Sequence, residues 1–311
     1  MVIIEDRVLI DGENKIGATV SYSDKTKKSP LVLLIMGTGK LDRDGNMKGF
    51  KSNFYKNLSD MFVNNGFVCV RYDKRGTHES TGKFNSAGLN DLVEDSARVI
   101  EYAKSLDFVD NDKIIACGHS EGAMIATLLT KQQQLDSIIL LGGACMCLKS
   151  AMKYQNFGIV NEFENKKGFL GWYLKKLMSK EKIESQLTDL YDKAKKAKKD
   201  TFFYRGAFMS SKWLNEHGSL TDEDFVNMIE NYNGKVLAIT GKCDLQADYT
   251  CLDKIAEFEN VTTYTPDNVN HMLKEIDDNN SYLTVQKQYK RLVDSPVYEG
   301  VQQKIEEFLE L

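Results

Sequence analysis

The chain has 311 residues, 42% of them hydrophobic and 28% charged, with a formal net charge of -4; such a composition buries a large core and lies outside the disordered class. The near-balanced charge gives no general reason to bind nucleic acid, and the longest apolar runs, LVLLIM and IILLGGACMCL, are far short of a membrane span. The opening MVIIEDRVLIDGE has Glu5 and Asp6 where a signal peptide would carry a basic start and an apolar stretch, so a cytoplasmic protein is expected. In chain order, RVLIDG and KIGATVSYS read as an antiparallel opening pair. Nearly all-apolar runs follow at 31–37 (LVLLIMG), 67–73 (FVCVRYD), 113–118 (KIIACG), 137–143 (SIILLGG), 235–241 (KVLAITG) and 261–266 (VTTYTP). These are the pattern of parallel strands covered on both faces. Helical periodicity occupies SNFYKNLSDMFVNNG, LNDLVEDSARVIEYAKSL, GAMIATLLTKQQQ and EGVQQKIEEFLEL. The alternation predicts an α/β fold with a mostly parallel central sheet flanked by helices.

One connection breaks the rhythm. Residues 146–232 hold no convincing buried strand and are too long for a connecting loop. GFLGWYLKKLMSKEKIESQLTDLYDKAKKAKKD and TDEDFVNMIENYN read there as amphipathic helix. Residues 1–145 and 233–311 are therefore expected to form the core, and 146–232 a helical cap packed on it rather than swinging on a flexible linker. Among the six cysteines, Cys69, Cys117 and Cys145 fall in or beside apolar runs, where cysteine acts as a small hydrophobe. Cys145-x-Cys147 lacks the second pair or nearby histidines of a zinc site, so no metal is expected.

The segment CGHSEG, residues 117–122, places Gly-x-Ser-x-Gly where a strand hands over to a helix. The pentapeptide alone is a weak signal, but a nucleophilic serine needs such a strand-to-helix turn, with small flanking residues to permit tight packing. A serine hydroxyl is a poor nucleophile at neutral pH, so Ser120 needs a base and an acid that orients it. In this architecture they follow the serine as acid, then histidine. Of the four histidines, His78 precedes the serine, His119 lies inside the turn, and His217 sits in the insertion. His271, in TPDNVNHMLKE after the final strand, is the candidate base. LAITGKCDLQAD offers Asp244 and, four residues on, Asp248; Asp244 is nearer the strand end and is preferred. An oxyanion is expected to meet the backbone N–H of Glu121 and one from MGTGKLDRDGN, at Thr38 or Gly37. The Glu121 carboxylate is read as a first-turn acid favoured by the helix dipole. Glu121→Gln is accordingly expected to keep the reactivity of Ser120.

These motifs carry a resemblance. GTGKLDRDGN (37–46), RYDKRGTHESTG (71–82), GHSEG (118–122), CDLQAD (243–248) and VNHMLK (269–274) occur in the order found in bacterial α/β-hydrolases of the serine aminopeptidase-like and EstD-like esterase group. The sequence resembles that group across both ends of the sheet domain and least in the insertion. The resemblance implies the α/β-hydrolase fold, the triad Ser120, Asp244 and His271, and carboxylic-ester hydrolysis without a cofactor. The same triad would also serve an acyl-CoA thioesterase or an aminopeptidase, and a ligand-binding homologue without turnover is the reading from another class. Three departures stand out. Thr38 replaces a common serine, and RGTHES and LQAD differ from the group's usual continuations at positions expected near the pocket rim. Asp42, Arg43 and Asp44, for which binding a substrate group is the alternative, are expected with Asp73 and Arg75 to fix the oxyanion loop through charge-assisted hydrogen bonds. Residues 149–200 carry 13 lysines against 7 acidic residues, read as a solvated face that would also draw in anionic acyl donors. Phe157, Phe169, Trp172 and Tyr173 are expected on the underside of the cap. The expected partner is a small acyl ester, with homo-oligomerisation left open.

Overall fold

The computed structural model describes residues 2–164, 179–277 and 279–310. Twelve strands are present among these residues: β1 (Ile4–Ile10), β2 (Ile16–Tyr22), β3 (Ser29–Ile35), β4 (Asn46–Met47), β5 (Phe50–Lys51), β6 (Val68–Tyr72), β7 (Val109–His119), β8 (Ser137–Leu141), β9 (Thr201–Tyr204), β10 (Ala207–Ser210), β11 (Lys235–Ile239) and β12 (Val261–Tyr264). The helices are α1 (Phe54–Asn64), α2 (Leu89–Lys104), α3 (Glu121–Leu129), α4 (Leu148–Glu164), α5 (Lys180–Lys196), α6 (Ser211–Gly218), α7 (Asp222–Glu230), α8 (Val285–Arg291) and α9 (Glu299–Phe308).

Eight strands form one sheet in the order β1-β2-β6-β3-β7-β8-β11-β12. The β1–β2 and β2–β6 pairs are antiparallel; every later pair is parallel. Period-two side-chain alternation divides the apolar runs between two cores. Leu31, Leu33 and Ile35 of β3 join α2 and α3 on one face, whereas Val32 and Leu34 join α1 and α9 on the other. This two-sided cover explains why the strands read as continuous apolar runs.

The chain leaves β3 in one direction across the sheet for β6 and returns past it to β7, so the carboxyl ends of β3, β7, β8, β11 and β12 share one edge. The pairing fixes that edge: Ile35 faces Gly118, His119 faces Leu141, and Ile239 faces both Leu141 and Tyr264. Loops gathered at such an edge are where open α/β sheets place their ligands.

Between β8 and β11 run α4, α5, the β9–β10 hairpin, α6 and α7. The hairpin, which the helical reading of 146–232 missed, turns through Arg205 and Gly206, both with positive φ. Small apolar clusters join these elements, one built on Leu148, Leu190, Tyr191, Ala194 and Leu214. Polar contacts tie the segment to the rest of the chain: Ser210 Oγ donates to Ala87 O (3.1 Å) and the Tyr154 hydroxyl donates to Asp244 O (3.2 Å). Among the described residues no helix is long and apolar enough to cross a membrane.

Candidate active site

The loop ends meet at a cavity of about 700 Å3 lined by Gly37, Thr38, Ser120, Glu121 and His271 among others. Ser120 sits between β7 and α3 with φ 57 and ψ -122, a left-handed backbone that a serine adopts only under constraint. The constraint is visible. Ser120 N donates to Leu141 O (2.8 Å), and Ala123 N donates back to Ser120 O (2.9 Å). The turn is also too crowded for side chains on either flank: a Cβ on Gly118 would lie 2.0 Å from Gly122 O, and one on Gly122 would lie 2.0 Å from Ile35 O. The tight turn read from GHSEG is therefore present, for steric reasons that involve the neighbouring strand β3.

Asp244 and His271, 27 residues apart, come together in the loops after β11 and β12. His271 Nδ1 and Asp244 Oδ2 are 2.8 Å apart, and both residues are buried. The other carboxylate oxygen accepts from Gln246 N (2.7 Å) and Ala247 N (2.9 Å), which holds the carboxylate in one orientation. With Nδ1 committed to Asp244, Nε2 is the nitrogen through which His271 can exchange a proton. Asp248 instead caps the short helix at Tyr249–Lys254 by accepting from Thr250 N and Thr250 Oγ1.

The remaining histidines are elsewhere. His78 is exposed. His119 is buried, its Nε2 2.8 Å from His271 O and its Nδ1 3.0 Å from the Tyr55 hydroxyl. Since a carbonyl only accepts, Nε2 carries the proton and Nδ1 accepts from Tyr55. Burial, and then the neighbouring His271, push this imidazole down to about 3, so it stays neutral. The Tyr55 oxygen also accepts from Gly37 N (2.8 Å), which links the loop after β3 to the His271 loop through two buried rings.

His217, set aside in the sequence because it lies in the insertion, reaches the serine turn after all. Its Nε2 is 3.1 Å from Glu121 Oε1. Trp213 Nε1 donates to the same oxygen at 2.6 Å, while Lys74 Nζ lies 2.6 Å from Glu121 Oε2. Ser210 positions this tryptophan by capping α6, its Oγ accepting from Trp213 N (3.1 Å). Glu121 does begin α3, but its carboxylate is buried and engaged by three side chains, so the helix dipole alone does not describe it. Burial opposes its charge; the Lys74 ammonium and the His217 hydrogen bond together outweigh that and hold the carboxyl well below its usual range. Lys74, between the two residues singled out in RYDKRG, carried no local signal of this contact.

The acidic and basic motif residues fix the loops. Arg43 bonds to Asp73 Oδ2 (2.6 Å) and to Glu79 Oε2 (2.5 Å), Arg71 Nε donates to Asp44 Oδ1 (2.6 Å), and Asp42 Oδ1 accepts from Asn46 N (2.8 Å). Arg75 pairs with Asp95 (2.7 Å). Residues 75–80 do not line the cavity as expected of RGTHES, because Glu79 folds back onto Arg43; Gln246 and Ala247 of LQAD do line it. Phe157 packs on Val160, Ile183 and Leu187 and faces a separate hollow. The cavity's tryptophan is Trp213. Phe169, Trp172 and Tyr173 lie outside the described residues.

The cavity wall is rich in thioethers, with Met47, Met124, Met146, Met152, Met209 and Met272, and Lys48 and Lys290 also border it. An open, polar groove of about 830 Å3 between residues 111 and 234 shares none of these residues. All six cysteines are free thiols, and among the described residues no group of three or more His, Cys, Asp or Glu converges as a metal site requires.

Comparison with known proteins agrees with this architecture. One curated relative, esterase EstD of Thermotoga maritima, is 24% identical over 140 residues, 43% of this chain; the match spans only a third (33%) of that relative's length. Two of the many solved structures that share the fold serve as comparison. Est1E of Butyrivibrio proteoclasticus with bound ferulic acid superposes with a TM-score of 0.57 at 19% identity, covering 93% of this chain and 99% of that one. The Pyrococcus furiosus esterase Pf2001 superposes with a TM-score of 0.58 at 13% identity, covering 99% and 91%. The sequence model of the family described as serine aminopeptidase, S33, matches residues 48–256, a span that takes in Ser120 and Asp244 and stops short of His271. With two thirds of its length so matched and its strand order that of an α/β-hydrolase, the chain belongs to the S33 serine aminopeptidase family of α/β-hydrolases.

Proposed function

We propose that this protein is a serine esterase that hydrolyses carboxylic esters through an acyl-enzyme on Ser120. His271 Nε2 takes the serine proton as Oγ attacks the ester carbonyl, and Asp244 orients the imidazole and stabilises its charged form. The tetrahedral oxyanion is held by the N–H groups of Glu121 and Thr38, with Gly37 bordering the same wall. The imidazolium then protonates the departing alkoxide, and His271 deprotonates a water that releases the acid. This chemistry needs no metal or organic cofactor. The observation that carries the reading is the constrained backbone of Ser120 facing the same cavity as a histidine bonded to a buried aspartate. The esterases among the similar proteins support the reaction class.

The cavity favours a substrate with an apolar acyl or aryl group. Methionine side chains are flexible and polarisable, so six of them adapt to varied apolar shapes. An aminopeptidase must in addition satisfy a substrate ammonium. Among the described residues the one carboxylate on this wall, Glu121, is already paired, and the nearby charges Lys48 and Lys290 are positive. Residues 146–232 act in this reading as the cap, contributing Met146, Met152, Met209 and Trp213 to the pocket. Free thiols throughout suit a cytoplasmic location, where they stay reduced.

A panel of p-nitrophenyl esters, acyl thioesters and aminoacyl anilides tests the proposal. Turnover is expected on esters with apolar acyl groups, falling about 10^4-fold or more in Ser120→Ala. Ester turnover that survives that substitution, or activity confined to aminoacyl anilides, would overturn it.

A further inference from the structure

Lys74 is buried, yet it is not part of the cavity wall; it stands behind the wall and grips it. Its ammonium donates to Gly37 O at 2.7 Å as well as pairing with Glu121 at 2.6 Å. The peptide that offers Gly37 C=O is the one that carries Thr38 N–H. No described peptide is cis, so in this planar trans unit carbonyl and N–H point in opposite directions. A carbonyl drawn back to Lys74 turns Thr38 N–H towards the cavity that Gly37, Thr38 and Ser120 share. The cation also polarises that peptide, making its N–H a stronger donor. Glu121 closes the arrangement: its carboxylate fixes Lys74 while its own N–H is the second oxyanion donor of the mechanism above.

We propose that the Lys74–Glu121 pair is the positioning device of the oxyanion hole, setting the Gly37–Thr38 peptide relative to Glu121 N–H. Trp213 and His217 anchor it to the 146–232 segment through the other carboxylate oxygen. The inference rests on the serine esterase reading. It assigns Lys74 and the Glu121 side chain to positioning and not to contact with substrate. A buried ion pair is an expensive way to fill space, since two apolar side chains serve packing equally well. What they do not supply is a donor to Gly37 O.

The discriminating variant is the double substitution Lys74→Met with Glu121→Gln, which leaves no buried charge unpaired and keeps a side-chain oxygen for Trp213 and His217. Turnover is measured per active site, titrated by the burst of an activated ester. The expected result is a kcat about 30- to 300-fold lower, reaching the lower part of the roughly 10^2- to 10^3-fold cost of losing one oxyanion donor outright, with KM within about threefold and the pH midpoint of kcat/KM unmoved. A trifluoromethyl ketone, whose adduct with serine carries the oxyanion, is expected to lose affinity by the same factor as kcat/KM. A folded double variant with kcat within about threefold of wild type overturns the proposal, as does a kcat loss without a matching loss of ketone affinity. Should the double variant not fold, the single Glu121→Gln is expected to label with a fluorophosphonate about tenfold more slowly, and an unchanged labelling rate overturns the proposal. Ser120→Ala run alongside separates the two claims. Activity retained there contradicts the nucleophile assignment, whatever the positioning variants do.

Discussion

Acid should weaken this fold through His119, by an amount the geometry allows to be worked out. The imidazole is buried, its Nε2 proton is given to His271 O, and its Nδ1 holds the Tyr55 hydroxyl. A second proton would have to displace the Tyr55 hydrogen from Nδ1. Burial, and then the neighbouring His271, lower the folded value to about 3, against 6.5 for the unperturbed group. For a base whose folded value is depressed, the unfolded chain binds the proton first as pH falls, so stability is intact above about 6.5 and drains away between there and about 3. The slope is about 1.4 kcal/mol per pH unit, which amounts to about 2 kcal/mol between pH 8 and pH 5. Urea unfolding of wild type and His119→Gln at the two pH values isolates this share, because glutamine does not titrate and the other groups are common to both. Wild type is expected to lose about 2 kcal/mol more than the variant. Parallel pH dependences would refute the reasoning and place the proton elsewhere.

Four further substitutions separate roles that look alike in sequence. Asp244→Asn is expected to lower kcat about 10^3- to 10^4-fold by misorienting His271, whereas Asp248→Asn, which touches only a helix cap, stays within about twofold in steady-state assays. Arg43→Met leaves the Asp73 carboxylate buried without its cation and should cost about 3–5 kcal/mol in chemical denaturation, with a correspondingly lower melting temperature. Tyr55→Phe strips a partner from both Gly37 N–H and His119 Nδ1; a loss of about 1–3 kcal/mol is expected, and an unchanged midpoint would show that these groups find water instead.

The sheet was readable because parallel strands covered on both faces leave uninterrupted apolar runs, and the runs at 31–37, 67–73 and 137–143 correspond to β3, β6 and β8. The order of Ser120, Asp244 and His271 was readable because each follows a recognisable strand end. What escaped was of two kinds. The β9–β10 hairpin is exposed on one side, with Phe203 and Phe208 outward, so its aromatic residues resembled the apolar stripe of an amphipathic helix; the Arg205-Gly206 turn was the available signal. The cluster of Lys74, Glu121, Trp213 and His217 joins residues up to 143 positions apart, counting from 74 to 217. Periodicity carries no information about such pairings, and a glutamate at a helix start has an adequate local explanation that conceals the distant one. The RGTHES segment erred the other way. Its position suggested the pocket rim, but Arg43 claims Glu79 and draws the turn back onto the loop.

The nucleophile assignment is most directly tested by treating the intact protein with a fluorophosphonate and weighing it. The account predicts a single adduct, located by peptide mapping on the fragment that contains Ser120, and no adduct in Ser120→Ala. Equal labelling of the two proteins, or an adduct on another residue of the wild type, would contradict it.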